Sequence, residues 1–183
     1  MGSQEPASTG ADVEDDPYSV VRVFYATDRL TTGPDEDDRF YDNTKRRAGG
    51  VELGTCDVSI PRDHRLASLE SPSIWRLEFE EDPSQHVVLL SVHPEAPGAF
   101  YAQLQQKVAD STRKELFVFV HGFNTSFEFA VRTAAQLSYD LQFDGAPVVF
   151  SWPSGGGLMS YRGAEASAVK AVDSLVGFLR DLA

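Results

Sequence analysis

Five consecutive apolar residues, Leu116-Phe117-Val118-Phe119-Val120, stop abruptly at His121-Gly122-Phe123-Asn124, and a helix-start pattern, Thr125-Ser126-Phe127-Glu128, follows at once. No other stretch restricts the fold as much. An apolar run without alternation suits a strand buried on both faces of a parallel sheet. Open sheets of that kind place their ligands past the C-terminal ends of their strands. Residues 121–124 would then lie on that edge. Their backbone N–H groups sit beside the positive end of a helix, an arrangement that favours a developing negative charge.

The flanking pattern agrees. Phe100, Leu104 and Val108 recur every four residues among polar ones, which predicts an amphipathic helix. After the 116–120 strand a helix is expected over about 126–141, with Ala130, Ala134, Leu137 and Leu141 on its core face and Thr125 with Glu128 as a capping box. Asp144-Gly145 should close it. Pro147 to Trp152 reads as a second short apolar strand, and a last helix over roughly 164–182 carries Ala168, Val172, Leu175, Leu179 and Leu182 on one stripe. Helix, strand, helix, strand, helix implies a parallel sheet covered on both faces.

The N-terminal half is strand-rich. Val20 to Tyr25 forms a β-rich run that ends at Ala26-Thr27-Asp28-Arg29, where Asp28 and Arg29 read as a local surface ion pair worth about 0–1 kcal/mol. Residues 30–50 read as a long charged loop. Over 51–60, Cys56, Val58 and Ile60 share one face of a strand. Trp75, Leu77 and Phe79 alternate with charged residues over 74–80, and a turn at 81–85 leads to the apolar run 87–92, so an antiparallel hairpin is expected there. Residues 1–16 are small, polar and acidic, with too little apolar surface to offset the entropy of ordering, and read as a disordered tail ahead of a single ordered domain over 17–183.

Composition excludes several classes. The chain has 183 residues and a formal charge of -12. A surplus of negative charge opposes binding to nucleic acid or to an anionic membrane. No apolar stretch is long enough to span a bilayer. The N-terminus lacks the basic and apolar regions of a secretory signal, and the single cysteine, Cys56, provides no disulfide framework, so a cytoplasmic location is expected. No metal or nucleotide site is expected either. His86 and His93 stand at an odd spacing on one strand, the acidic run Asp35 to Asp38 lacks a calcium-loop pattern, and Gly155-Gly156-Gly157 lacks the Lys and Ser/Thr of a phosphate loop. No cofactor is called for.

Several motifs in one order carry a resemblance: Val23-Phe24-Tyr25-Ala26-Thr27-Asp28-Arg29, Val58-Ser59-Ile60-Pro61, Phe117 to Asn124, Tyr139-Asp140-Leu141 with Phe143-Asp144-Gly145, and Phe150-Ser151-Trp152-Pro153-Ser154 with the helix from Tyr161. Together they resemble a bacterial family of uncharacterised esterase/lipase-like α/β-hydrolases. The resemblance implies a three-layer α/β sandwich with a mostly parallel sheet and an antiparallel N-terminal part. Strand 116–120 would be its third core strand and 147–152 its fourth. Gly122 and Phe123 would supply an oxyanion hole, with the N–H of Phe123 as donor, and His121 and Asn124 would support that loop. Trp152, Ser154 and Tyr161 would line a substrate pocket. The second donor should follow a nucleophilic Ser in a G-x-S-x-G elbow on a fifth strand. No G-x-S-x-G occurs in these 183 residues. The chain is therefore expected to stop before the elbow, to lack the triad and to be inactive alone. The full-length protein would act on a small ester or acyl substrate.

Alternatives stand beside these roles. His121 could act as a base, though a loop-orienting hydrogen bond is the plainer role. Asn124 could cap the helix or hold the loop, and Trp152 could line a pocket or plug the core. Cys56 reads as a small buried hydrophobe. The chain could also be a non-catalytic module that binds a partner or self-associates. Without a fifth strand, Leu116 to Val120 would be an exposed apolar edge, which favours self-association.

Overall fold

The computed structural model describes residues 17–32, 40–62, 82–155 and 161–183, with side chains omitted over 161–167. Seven strands and three helices follow one another along the described residues: β1 Tyr18–Thr27, β2 Arg29–Thr31, β3 Tyr41–Arg46, β4 Glu52–Pro61, β5 Val88–Glu95, α1 Pro97–Asp110, β6 Leu116–Val120, α2 Phe127–Asp140, β7 Ala146–Ser151 and α3 Tyr161–Leu182.

Five strands form one sheet in the order β5-β4-β1-β7-β6, and β2 and β3 form a separate two-stranded sheet. β1 pairs antiparallel with β4 along its whole length, Tyr18 opposite Pro61 and Thr27 opposite Glu52. β4 pairs antiparallel with β5, whereas β7 lies parallel to both β1 and β6. Only β4 therefore runs against the other four. The fold is an α/β three-layer sandwich, mostly parallel and with an antiparallel N-terminal part. Alternation along the strands splits the core into two halves. Val23, Tyr25, Cys56, Val58, Ile60 and Val149 face Phe127, Ala130, Val131, Ala134 and Ala135 of α2. Phe24, Ala26, Leu53, Val148 and Phe150 face Phe100 and Leu104 of α1 and Ala171 and Phe178 of α3.

The helix ends have local causes. Pro97 opens α1, where its missing N–H costs nothing. Ser126, not Thr125, is the N-cap of α2, its Oγ accepting from the Phe129 N–H at 3.1 Å. The expected Thr125–Glu128 capping box is not formed, because Thr125 Oγ1 instead donates to the Phe123 carbonyl. α2 also ends before Asp144-Gly145. Gln142 adopts φ 50 and donates to Tyr139 O, while Phe143 N–H reaches back to Ser138 O at 2.9 Å. That pair of bonds is the Schellman arrangement, here with glutamine in the left-handed position.

Four further expectations need correction. Leu137 and Leu141 are exposed, at 39% and 65%, and the core face of α2 is made instead by Phe127 and small residues. Alanine lets the helix axis approach the sheet, so the larger leucines turn outward. On α3 the buried stripe is Ala171, Leu175, Phe178 and Leu182, whereas Val172 and Leu179 face outward. Residues 30–50 are not one loop, since β2 and β3 lie within them. β6 is only half-buried and Val120 is 44% exposed, because β6 has a strand neighbour on one side only among the described residues. β5 finds its antiparallel partner in β4. Its expected partner over 74–80, the tail over 1–16, the acidic run at 35–38 and the glycines at 156 and 157 lie outside the described residues.

Candidate functional site

The C-terminal ends of β1, β6 and β7 lie together, and the segments that leave them, 28–29, 121–126 and 152–155, meet around one buried side chain. That side chain is Arg29. Its relative exposure is 0%, so the expectation of a surface ion pair with Asp28 is wrong. Asp28, itself 1% exposed, pairs with Arg46. Thr27, the last residue of β1, donates its hydroxyl to Ser151 O at 2.8 Å and receives the Arg29 N–H at 3.2 Å.

The Arg29 guanidinium is surrounded by acceptors from distant segments. Nε donates to Ser151 Oγ at 2.8 Å, Nη1 to Asp42 O at 3.3 Å and to Asn43 Oδ1 at 3.2 Å. Nη2 donates to Thr125 O at 2.7 Å and lies 3.3 Å from His121 Nε2. Burial lowers the guanidinium to about 10 while Glu128 and Asp42 act in the opposite sense, so it is a cation at neutral pH. Asp42 is held as a carboxylate. Partial burial opposes this, but the Thr44 and Lys45 amides and the Thr44 hydroxyl bring it to about 2.

His121 is fixed from both ring nitrogens. Nδ1 lies 2.8 Å from Gly122 O, a partner that can only accept, so Nδ1 carries the proton. Nε2 is then an acceptor, and it receives the Trp152 N–H at 3.0 Å. The indole stacks on the ring at 5.5 Å with 6° between planes, and its Nε1–H donates to His121 O. Burial first, then the Arg29 cation, pull the imidazole down to about 4 against the opposing Gly122 bond. A neutral ring whose lone pair is already engaged is suited to orienting a loop and poorly placed to take a proton from a substrate.

The loop is clamped at its far end by Ser154, which is 1% exposed. Asn124 N–H donates to Ser154 O at 2.9 Å and Thr125 N–H to Ser154 Oγ at 3.1 Å, while that hydroxyl donates to Thr125 O at 3.0 Å. Asn124 has φ 55, a left-handed conformation that asparagine tolerates, and Ser126 takes the capping position. Between these anchors Gly122 and Phe123 are exposed, Phe123 at 47%. Among the described residues neither of their amides has a hydrogen-bond partner, whereas the next two amides are both bonded. Among the described residues a Cβ built on Gly122 would meet nothing within 4 Å.

Residues 121–124, 152 and 154 are thus gathered at one end of the sheet. Ser154 is spent on the loop, Trp152 on His121, and the side chain of Tyr161 lies outside the described residues. A cavity of about 780 Å³ lies at the opposite end of the parallel strands, lined by Val20, Arg22, Lys107, Tyr139 and Pro147 among others, and contains none of the loop residues. His86 sits in the turn before β5 rather than on it, its Nδ1 accepting from Asp82 N–H. Cys56 is fully buried, and burial holds its thiol well above the usual range. Among the described residues no group of His, Cys, Asp and Glu could hold a metal ion, and no helix is long and apolar enough to cross a membrane.

Arg29 is expected from the sequence in a surface ion pair and Ser154 in a substrate pocket; both instead frame the loop. The available signal for Arg29 was its place immediately past a strand of the parallel sheet, on the same edge as 121–124.

Comparison with known proteins bears on the segment that holds the loop. No curated protein and no solved structure matches the chain. Residues 96–183, which contain α1, β6, the 121–126 loop, α2, β7 and α3, match the family described as alpha/beta hydrolase of unknown function (DUF900), and the mixed five-stranded sheet with its helices is consistent with an alpha/beta-hydrolase fold.

Proposed function

We propose that the 121–125 loop is the oxyanion-binding element of a serine hydrolase that acts on an ester or similar acyl bond. One observation carries this reading: Gly122 and Phe123 are exposed and, among the described residues, their amides have no hydrogen-bond partner at the end of β6, ahead of the α2 N-terminus, while the residues on both sides are pinned. Oriented N–H groups there can take the charge that develops on a carbonyl oxygen during acyl transfer. A serine outside these 183 residues would attack, a histidine outside them would move the proton, and Phe123 N–H would receive the oxyanion. Trp152 would border the acyl group.

The test is the full-length gene product, assayed on p-nitrophenyl esters and with a fluorophosphonate probe for an activated serine. Phe123→Pro deletes one N–H, and loss of one such donor lowers kcat by about 10²–10³-fold. The 183-residue chain alone should not be labelled. A full-length protein that resists the probe, or a Phe123→Pro variant with unchanged kcat, would end the reading.

A second reading has its own observation. Among the described residues β6 is an edge strand, and Val169, Val172, Val176 and Leu179 of α3 are exposed at helical spacing. These features favour a non-catalytic, self-associating module. Light scattering decides it. A monodisperse monomer at high concentration removes this reading, and association abolished by Val120→Lys supports it.

A further inference from the structure

We infer that Arg29 is the positioning residue of the 121–125 loop, holding both of its ends from below so that the intervening amides stay free. The catalytic consequence rests on the oxyanion reading above; the anchoring itself does not. Three facts carry the inference. The side chain is completely buried. Its donors reach Ser151 at the end of β7, Asp42 and Asn43 on β3, and both His121 and Thr125, the two flanks of the exposed pair. Among the described residues none of the acceptors bonded to the guanidinium is a carboxylate, so the desolvated cation has no directly bonded ion-pair partner there, and Glu128 and Asp42 act on it only at a distance.

A buried cation without a bonded carboxylate is a costly way to gain stability, and its geometry suggests what it accomplishes instead. Arginine alone offers a rigid planar fork of five donors; a lysine ammonium has three on a flexible stem. The fork joins segments that lie 92 and 96 residues away at the loop's two ends, and 122 residues away at β7. By facing His121 Nε2, Nη2 also requires that nitrogen to be an acceptor, which keeps Nδ1–H on Gly122 O and turns that peptide's N–H side away from the ring. The backbone of Gly122 and Phe123 is thereby oriented without any direct contact to their amides.

The experiment uses two systems. In the isotope-labelled chain, NMR compares wild type with Arg29→Lys and Arg29→Met. The expected result is a higher His121 titration midpoint in Arg29→Met, at least tenfold faster exchange of the Thr125 amide in both, and broadened Gly122 and Phe123 signals. Ser151→Ala and Asn43→Ala each remove one acceptor and should loosen the same amides to a lesser degree, so the test survives if both Arg29 variants fail to fold. In the full-length protein, Arg29→Lys should lower kcat by about 10–10²-fold with KM within twofold, since small misplacements of oriented groups cost that much. Unchanged loop exchange in folded Arg29 variants, or normal kcat in Arg29→Lys beside an inactive Phe123→Pro, overturns the inference. A loosened loop in Arg29→Lys beside a fully active Phe123→Pro keeps Arg29 as the anchor and removes the oxyanion reading instead.

Discussion

Replacing Ser154 by alanine tests the clamp on the loop most cleanly. The hydroxyl accepts from Thr125 N–H and donates to Thr125 O, in a position only 1% exposed. After the change, Thr125 O still receives Arg29 Nη2 at 2.7 Å, so the carbonyl stays satisfied. The Thr125 N–H does not, and orphaning this part-buried donor costs about 1–3 kcal/mol. The lost oxygen leaves little void, so the cavity contribution is small. With a urea m-value of roughly 2 kcal/mol/M, a cost of about 2 kcal/mol lowers the midpoint by about 1 M. Urea titration followed by the fluorescence of Trp152, which stacks on His121, measures it. Amide exchange adds a residue-level check: Thr125 should speed up while Asn124, bonded to the Ser154 backbone, should not. A loss below about 0.5 kcal/mol, the range of an ordinary surface change, would refute the reasoning.

Three other outcomes are expected. Gln142→Gly relieves a φ of 50 at the end of α2 and should stabilise by about 0.5–1 kcal/mol after the glycine entropy is counted; a lower Tm would contradict it. Gly54→Ala places a Cβ 2.3 Å from the His93 carbonyl and 2.5 Å from the Tyr25 hydroxyl, so overpacking should cost about 3 kcal/mol, and a wild-type Tm would argue against the packing. His121 has a folded value of about 4, below its ordinary 6.5, so its contribution is complete above pH 6.5 and is lost as pH falls toward 4. That contribution is about 2–4 kcal/mol, and it should appear as a steeper fall in wild-type stability between pH 6.5 and 4 than in His121→Gln. Parallel pH curves would count against it.

Much of the frame was legible before any coordinates. The 116–120 run and the 147–152 run are β6 and β7, and the one-face set Cys56, Val58 and Ile60 lies in a single core half. Period alone was enough, because side chains that alternate on a strand or recur each helical turn must find an apolar partner on one side. The failures share a cause. On α2 the leucines drew attention to a face that points outward, because the close approach of alanines to the sheet cannot be seen in one helix taken alone. On α3 the observed stripe shares Leu175 and Leu182 with the expected one, but Ala171 and Phe178 take the places expected for Val172 and Leu179. Ser126 displaced Thr125 as the cap because the Ser154 clamp and the left-handed Asn124 set where the helix may begin.

Local pattern was sufficient for β6, α2, β7 and the place of the 121–124 segment at the sheet edge, since each depends on residues near in sequence, but not for β2 and β3, which lie in a stretch that reads as loop. The role of Arg29 was not accessible that way. Its neighbour Asp28 suggested a simple surface pair, and nothing within ten residues hints that one guanidinium meets Asn43, Thr125, His121 and Ser151. The pairing of β1 with β7 and of β7 with β6 brings Ser151, His121 and Thr125 to it, and the β2–β3 pair brings Asn43. A hydrogen-bond fork is satisfied in three dimensions, and its partners are chosen by strand order rather than by chain order.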